Sequence, residues 1–384
     1  MNNQNYISLS EPFLQGNEKK YVNECLDSGW ISALGKFVTD FERNFASYTG
    51  SQYAVAVVNG TSALHLALLT AGVSANDEVF IPTLTFIAPV NAISYANAHP
   101  VFIDIDNKTL GISPDAVEEF ISENCDYKNG VLTNRLTGRK ISAIISVHIL
   151  GHSCRMAEIR ELAEKYKLKW IEDAAEAIGT LCDGKHAGTF AEIGCFSFNG
   201  NKTLTTGGGG MLVTDNEYLA KRLRHLSTQA KSDELYYTHD FVGYNYRMSN
   251  IQAAIGLAQL EYIEKTIAAK REIQARYTKE FGSIEGISIF NEQPWCRSNC
   301  WLSLISFTSD RRADFISFMQ SKGIQVRPLW ELNNRHPMYK NCSHGNLSNA
   351  ENLYEKSVCI PCSQKMTMAD TDRVIAAVKS FIKA

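Results

Sequence analysis

The feature that most constrains the fold is a regular alternation, from residue 53 to residue 214, of short apolar runs with helical segments. The apolar runs predict β-strands at Tyr53–Val58, Glu78–Pro82, Pro100–Asp104, Ile141–Ile149, Lys169–Glu172, Glu192–Phe198 and Gly209–Thr214. Helices are predicted between them at Ser62–Ala71, Pro89–Ala96, Asp115–Glu123 and Arg155–Tyr166. This alternation indicates an α/β fold with a mainly parallel, seven-stranded sheet that binds ligands at the carboxyl ends of its strands.

The length of 384 residues is sufficient for two domains. We predict an N-terminal arm over residues 1–16, with a helix start near Ser10, and a large domain over residues 17–250. Because a long helical pattern at Asn250–Phe281 is followed by mixed strands and helices, residues 251–384 are predicted to form a bridging helix and a smaller C-terminal α+β domain.

Charge and hydropathy exclude several classes of function. The formal net charge is −3, so no basic surplus points to a nucleic-acid partner. The N-terminus lacks the pattern of a signal peptide, and no apolar run approaches the roughly 18 residues of a membrane span. We therefore predict a cytoplasmic protein with no membrane partner.

The ten cysteines are spread along the chain, which favours reduced thiols over a disulfide framework. Cys359 and Cys362 form a C-x-x-C pair that could be read as part of a zinc site or as a redox pair. The upstream cysteines do not have the matching spacing, and the segment reads equally well as a short apolar strand followed by a turn. We predict no metal site.

A single lysine, Lys202, lies in the stretch Gly194–Gly210 between an apolar strand and a glycine tract. An amine at its ordinary pKa of about 10.4 is protonated, so a lysine that acts as a covalent catalyst needs a desolvated site. Phe196 and Phe198 are predicted to supply apolar walls, and Ser197, which alternates with them, to point toward a polar group such as a phosphate. The alternative is an exposed lysine at a strand end.

The stretch Trp170–Gly179 is a short apolar strand that ends in two adjacent carboxylates, Glu172 and Asp173. An acid in this position would lie at the carboxyl edge of a parallel sheet, where ligands bind. Only one of two neighbouring strand residues faces such a site, and alternation alone does not tell which. Either acid could also simply cap the turn that follows.

A third stretch, Gly60-Thr61-Ser62, is a turn that opens an apolar helix. Hydroxyls and free N–H groups at a helix N-terminus suit a phosphate, although Thr61 and Ser62 could be plain N-caps. Phe86 follows a strand, where its ring could stack on a planar cofactor or pack in the core. A lysine, an acid and a phosphate cup together are what an enzyme that uses pyridoxal 5′-phosphate (PLP) requires, so we predict PLP as the cofactor.

Six motifs follow one another in order along the chain. They are Gly-Thr-Ser-Ala-Leu, Thr-Phe-Ile-Ala, Val-His-Ile-Leu-Gly, Glu-Asp-Ala-Ala-Glu-Ala-Ile-Gly, Phe-Ser-Phe-x-x-x-Lys with its glycine tract, and Gly-Tyr-Asn-Tyr-Arg-Met-Ser-Asn-Ile-Gln-Ala. With them the chain resembles the DegT/DnrJ/EryC1/StrS family of PLP-dependent sugar aminotransferases. The resemblance implies the PLP-dependent transferase fold of type I, a homodimer with shared active sites, and amino transfer from glutamate to a nucleotide-linked keto sugar.

The resemblance also implies roles for individual residues. Lys202 matches the Schiff-base lysine and Asp173 the partner of the pyridine nitrogen. The other matches are Thr61, Ser62 and Ser197 for the phosphate, Phe86 for ring stacking, Asn245 for the phosphate of the neighbouring subunit's cofactor, and Ser32 and Arg327 for the substrate. We also predict that Gly60 binds the cofactor and that Asn201 binds the substrate. Arg327 would pair with a diphosphate or with the donor carboxylate.

The chain departs from the family pattern at three places. Glu176 stands at a cofactor-contacting position that is usually glutamine, Asn199-Gly200-Asn201 replaces a common aromatic-or-His, Pro, x run, and Gly208 replaces a frequent acid. These changes resemble a subgroup that acts on UDP-linked 4-keto-6-deoxy-HexNAc sugars in the synthesis of bacterial surface sugars, and that is the predicted substrate. A sugar dehydratase of the same family, in which histidine typically replaces the lysine, and a non-catalytic regulator are the alternatives. Lys202 argues against the first, and the complete constellation argues against the second.

Overall fold

The computed structural model describes residues 6–233 and 235–383 of the chain. In this part of the chain the α-helices are α1 (Glu18–Ser28), α2 (Lys36–Thr49), α3 (Gly60–Ala71), α4 (Ile87–Tyr95), α5 (Pro114–Asn124), α6 (Met156–Tyr166), α7 (Glu217–Ser227), α8 (Asn250–Leu260), α9 (Ile263–Phe281), α10 (Arg312–Ser321), α11 (Ser348–Lys356) and α12 (Met368–Lys383). None of these helices contains a stretch long and apolar enough to cross a membrane.

The strands in the same part of the chain are β1 (Tyr53–Val57), β2 (Glu78–Pro82), β3 (His99–Ile103), β4 (Cys125–Lys128), β5 (Val131–Asn134), β6 (Lys140–Val147), β7 (Lys169–Asp173), β8 (Leu181–Cys182), β9 (Lys185–His186), β10 (Ile193–Ser197), β11 (Gly210–Thr214), β12 (Lys231–Asp233), β13 (Thr238–His239), β14 (Ile287–Ile289), β15 (Cys296–Arg297), β16 (Ser303–Phe307), β17 (Arg327–Pro328) and β18 (Ser357–Ile360). All seven strands predicted between residues 53 and 214 are present, and no end differs from its prediction by more than two residues.

Within residues 6–233 and 235–383 the main sheet has nine strands, and its central path runs β1-β11-β10-β7-β6-β2-β3. The five strands from β10 to β3 on this path are parallel to one another, whereas β11 is antiparallel to both of its neighbours. The β4–β5 hairpin extends the sheet from the start of β6. The prediction of an α/β fold with a mainly parallel sheet is confirmed.

Side chains alternate between the two faces of this sheet. In β1, Val55 and Val57 belong to a core shared with helix α3, whereas Ala54 and Ala56 belong to a core shared with helix α2. We call these the α3 face and the α2 face. In β10, Cys195 is on the α3 face, so Ser197, two residues later, is on that face too.

The same alternation shows that one expectation was wrong. Phe196 and Phe198 do not form walls beside Lys202, because they are on the α2 face. The Phe196 ring packs on Phe45 at 5.0 Å between centroids, and the Phe198 ring packs on Phe41 at 5.3 Å. These two aromatic residues are part of the core that holds helix α2 against the sheet.

A smaller α+β part follows, with the antiparallel sheet β14-β16-β18-β17. Its own core joins Ile305 of β16 to Phe315 of α10 and Phe381 of α12. Cys359 lies within β18 and Cys362 follows it, both buried, so the segment is the short strand and turn of the simpler interpretation. The described residues contain no group of three or more His, Cys, Asp or Glu side chains that could hold a metal ion.

Two helix predictions differ from the structure. No helix starts near Ser10, because the arm uses its backbone for bonds to the C-terminal part, with Ile7 N–H donating to Gly323 O and Cys362 N–H donating to Leu9 O. The pattern of Asn250–Phe281 is two helices rather than one. Helix α8 packs against α1 and α2, and α9 packs against β14 and α12, so the chain turns where it passes from one core to the other.

Candidate active site

A cavity of about 340 Å³ lies at the carboxyl ends of β6, β7 and β10, beside the start of α3. Ligand sites in α/β proteins are expected at this edge of the sheet. The predicted site residues that line the cavity are Gly60, Thr61, Phe86, Asp173, Glu176, Ser197, Asn201 and Lys202. The fold therefore brings together residues from strand ends and loops that are far apart in the sequence.

Lys202 lies in the loop that follows β10, and only 13% of its side chain is exposed. Its Nζ donates to Glu176 Oε1 at 3.2 Å and lies 4.0 Å from the centroid of the Trp301 ring. The Lys202 backbone N–H donates to Asn199 O at 3.0 Å, which fixes the turn that carries it. The lysine is thus a largely buried amine inside the cavity. The alternative interpretation, an exposed lysine at a strand end, is wrong.

Of the two acids at the end of β7, only Asp173 lines the cavity. Ile171, two residues earlier, is on the α3 face, so strand alternation puts Asp173 on that face as well. Its Oδ1 accepts the Ala175 N–H at 3.0 Å. Burial raises the pKa of the Asp173 carboxyl, a shift that the Ala175 N–H and the charge of Lys202 oppose.

Glu172 is on the other face and is fully buried. Its carboxylate accepts N–H groups from Gly188 at 2.7 Å and from Phe190 and Ala191 at 2.6 Å, and it pairs with His148 Nε2 at 2.9 Å. All of these partners belong to the protein framework. Glu172 therefore fastens the segment after β9 to the sheet and is not available to a ligand in the cavity.

Helix α3 begins at Gly60, and its N-cap is Asn59, whose side chain accepts the Ser62 N–H at 2.7 Å. The cap is therefore neither Thr61 nor Ser62. The hydroxyls of Thr61 and Ser197 form no hydrogen bond within the part of the chain that the structure describes, and both residues line the cavity. A Cβ on Gly60 would lie 2.7 Å from the Ser197 Cβ, so the helix start and β10 approach each other as closely as they do because residue 60 is glycine.

Glu176 lies in the turn after β7 and is buried. Its Oε2 accepts the N–H of Leu150 at 2.8 Å, while Oε1 accepts from Lys202. Burial raises the pKa of the Glu176 carboxyl, and the positive charge of Lys202 opposes that shift. The position that departs from the usual glutamine thus carries an acid in direct contact with the candidate catalytic lysine.

Aromatic rings form one side of the cavity. Phe86 is 52% exposed and so is not a core residue, and its ring centroid is 6.4 Å from that of Trp330. Trp330 in turn lies nearly parallel to Trp301, at 6.5 Å between centroids. Neither tryptophan was predicted as a site residue. Trp330 lies three residues after the predicted substrate residue Arg327, whereas no local pattern marks Trp301.

Four predicted site residues do not line this cavity in the single chain. Ser62 is buried in α3, and the exposed Asn245 pairs with Thr228 in an isolated β-bridge. Ser32 is exposed, and its carbonyl accepts the Asn250 N–H at 2.7 Å. Arg327 is exposed and lines an adjoining cavity of about 290 Å³, which shares Asn201 and both tryptophans with the first.

Comparisons with known proteins agree with this geometry. A model of the DegT/DnrJ/EryC1/StrS aminotransferase family matches residues 12–379. A GDP-perosamine synthase of Escherichia coli O157:H7 is 44% identical over 87% of each chain. The putative pyridoxal phosphate-dependent aminotransferase EpsN of Bacillus subtilis is 38% identical over 96% of this chain and 94% of its own length.

The fold has close counterparts among solved structures. A DegT DnrJ EryC1 StrS aminotransferase from Brucella abortus superposes with a TM-score of 0.88 over 96% of each chain, at 27% identity. The predicted transferase fold of type I and the PLP cofactor are thereby confirmed. The chain belongs to the DegT/DnrJ/EryC1/StrS aminotransferase family and is a PLP-dependent sugar aminotransferase.

Proposed function

We propose that this enzyme transfers an amino group from glutamate to a keto sugar carried on a nucleoside diphosphate, and that PLP binds in the 340 Å³ cavity. The observation that carries the proposal is the placement of Lys202 Nζ, the Asp173 carboxylate and the Thr61 and Ser197 hydroxyls around one cavity. A covalent amine, an acid and an anion cup are the three groups that hold PLP in an enzyme.

The polar atoms of the cavity suit PLP. Only one oxygen of the buried Asp173 is bonded within the described chain, which leaves Oδ2 for the pyridine nitrogen. The unpartnered hydroxyls of Thr61 and Ser197 lie by the N-terminus of α3, whose partial positive charge favours a phosphate. We assign Gly60 and Ser62 to the same cup and the exposed Phe86 ring to stacking on the cofactor plane.

The residues of the chain have separate chemical tasks. When bound, PLP supplies an electron sink for the bond that breaks at the amino-bearing carbon. Lys202 would hold the cofactor through a covalent link and, when its amine is free of that link, would carry a proton on Nζ to and from that carbon. Asp173 would keep a proton on the pyridine nitrogen, and Glu176 orients the amine of Lys202 through the 3.2 Å contact.

The substrate is proposed to extend from this cavity into the adjoining one. Asn201 borders both, and the exposed Arg327 lines the second, where its guanidinium suits a diphosphate or the carboxylate of the donor. UDP-4-keto-6-deoxy-HexNAc remains the substrate predicted from the subgroup resemblance. The relative in Escherichia coli, a GDP-perosamine synthase, instead favours a GDP-linked sugar. We therefore propose GDP, ahead of UDP, as the nucleotide that carries the keto sugar.

A homodimer is proposed to complete each site. Asn245 is exposed in the single chain and is assigned to the cofactor phosphate of the neighbouring subunit. Near Ser32, the side chains of Trp30, Ile31 and Leu34 are 57%, 49% and 71% exposed. Exposed apolar side chains of this kind are typical of a surface that another chain covers. Contact between two subunits at this surface would place Ser32 near the sugar bound by the neighbouring subunit.

The test is a panel of 4-keto sugars linked to GDP, UDP or TDP, each incubated with the PLP-loaded enzyme and glutamate. We expect stoichiometric formation of 2-oxoglutarate and an amino sugar, fastest with the GDP-linked member. Lys202→Ala is the matched control and should be inactive with every member. If no member of the panel is aminated by the wild-type enzyme, the proposal that it acts on nucleotide-linked keto sugars is wrong.

A further inference from the structure

The amine of Lys202 is contacted by two side chains from distant parts of the chain. Glu176 follows β7 of the main sheet, whereas Trp301 precedes β16 of the smaller sheet. Glu176 Oε1 is 3.2 Å from Lys202 Nζ, and the Trp301 ring centroid is 4.0 Å from it. Because these contacts come from separate elements, their spacing depends on whatever ties the two backbones together.

One side chain, that of Asn299, ties them directly. It is fully buried, and its Nδ2 donates to Glu176 O at 2.8 Å and to Ile178 O at 2.9 Å. The bond to Glu176 joins residues that are 123 positions apart in the sequence. Its Oδ1 accepts the N–H of Trp301 at 2.9 Å. The donor half of the amide thus holds the turn that carries Glu176, and the acceptor half holds Trp301.

The backbone between Asn299 and Trp301 has an unusual conformation. Cys300 has a φ of 50°, in the left-handed region that residues other than glycine rarely adopt. The turn is held by the Cys300 N–H, which donates to Ser298 Oγ at 3.0 Å, and by the Trp301 N–H bond to Asn299. Such a turn persists only where surrounding bonds fix it. The indole ring that follows the turn is held as well by its own Nε1–H, which donates to Asn201 O at 2.8 Å.

We propose that Asn299 is a positioning residue for amino transfer, which fixes the Trp301 ring and the Glu176 carboxylate against the amine of Lys202. The inference rests on the function proposed above, because it concerns the same lysine. Both groups stabilise a positive charge on that nitrogen, the carboxylate by direct attraction and the ring by its negative face. Without Asn299, two buried carbonyls and one N–H lose their partner and the turn can relax.

The test compares Asn299→Ala with Asn134→Ala as a matched control. Asn134 is also fully buried, and its Nδ2 donates to Glu78 at 2.8 Å and to Ser343 at 3.2 Å, but it does not line the cavity. Each PLP-loaded variant is titrated with pH while the near-visible absorbance of the bound cofactor is followed. We expect Asn299→Ala to lower the pH at the midpoint of this titration by about one unit, because the positively charged Lys202 nitrogen loses its contacts with the Trp301 ring and the Glu176 carboxylate. Amino transfer should also be slower, by about ten-fold or more. Asn134→Ala should lower only thermal stability.

The outcomes separate this inference from the proposed function. A wild-type midpoint in Asn299→Ala, with the wild-type enzyme active, overturns the positioning role and leaves the proposed function intact. A wild-type protein that neither develops the absorbance nor transfers an amino group overturns the proposed function instead. If Asn299→Ala does not fold, Trp301→Leu decides the question, because it removes the ring with Asn299 in place. Its midpoint must also fall, and an unchanged midpoint overturns the inference.

Discussion

Exchange of each acid at the end of β7 for its amide separates a framework role from a chemical one. The Glu172 carboxylate receives four hydrogen-bond partners, Gly188, Phe190, Ala191 and His148. In Glu172→Gln one oxygen becomes an NH₂ group, which must face two of these donors. Loss of two hydrogen bonds to a buried charged group, at about 1.5–3 kcal/mol each, predicts that the free energy of unfolding falls by about 3–6 kcal/mol.

Asp173→Asn should behave in the opposite way. Among the residues that the structure describes, the Asp173 carboxyl accepts a single hydrogen bond, from the Ala175 N–H, and an amide oxygen can keep it. Because burial raises the pKa of this carboxyl, removal of its charge relieves a desolvation cost, and stability should be unchanged or slightly higher. Turnover should nevertheless fall by several orders of magnitude, because an amide no longer keeps a proton on the pyridine nitrogen.

The assay pairs urea unfolding of the cofactor-free variants, followed by tryptophan fluorescence, with initial rates of 2-oxoglutarate formation by the PLP-loaded proteins. Wild type and both variants are measured in the same buffer. The reasoning is refuted if Glu172→Gln keeps its stability and loses turnover while Asp173→Asn keeps near-normal turnover. That result would mean that the other face of β7 is turned toward the cofactor.

Three further predictions follow from the site and the core. Lys202→Ala should bind PLP but form no link that survives borohydride reduction, and a cofactor adduct detected by mass spectrometry would show that another lysine is the catalyst. Mixed Lys202→Ala and Asn245→Ala subunits should regain activity that neither variant has alone, because one of the two sites in a mixed dimer has both Lys202 and Asn245 intact. No recovery of activity despite demonstrated subunit exchange argues against a shared site. Burial lowers the pKa of His152 and of His186 to about 4, so their contribution to stability is complete above the unfolded-state pKa of about 6.5 and is lost as pH falls toward 4. Urea midpoints of the cofactor-free protein should therefore fall between pH 7 and pH 5, and less steeply in His186→Phe, whereas identical slopes would contradict this origin.

The sequence predicts much of the site because strand ends are visible in it. Asp173 and Ser197 end apolar runs, and the carboxyl ends of parallel strands share one edge, so their proximity follows from the alternation alone. The choice between Asp173 and Glu172, and the direction of Phe196, depend on which face of the sheet each strand residue occupies. The face that a residue occupies is decided by which helix packs on which side of the sheet, and the local sequence pattern does not contain this information.

Trp301 is a site residue that the sequence does not predict. Its contact with Lys202 depends on how the smaller sheet packs beside the main one and on a left-handed turn at Cys300. Periodicity reports burial within an element, and it says nothing about a turn held by side-chain bonds from another part of the chain. The break between α8 and α9 was missed for a similar reason, because Leu260–Ile263 contains neither glycine nor proline.

The antiparallel placement of β11 beside β10 has a consequence for how such enzymes can be re-engineered. Because Ser197 pairs with Gly210, the loop that carries Lys202 leaves and re-enters the sheet at adjacent strands. It is closed by its own bonds, with the Phe198 N–H donating to Gly209 O at 2.8 Å and the Thr206 N–H donating to Phe198 O at 3.0 Å. We therefore expect that residues 199–201 can be exchanged between relatives as a graft, which would alter the proposed sugar-binding surface while the strand register and the proposed covalent anchor, Lys202, stay in place.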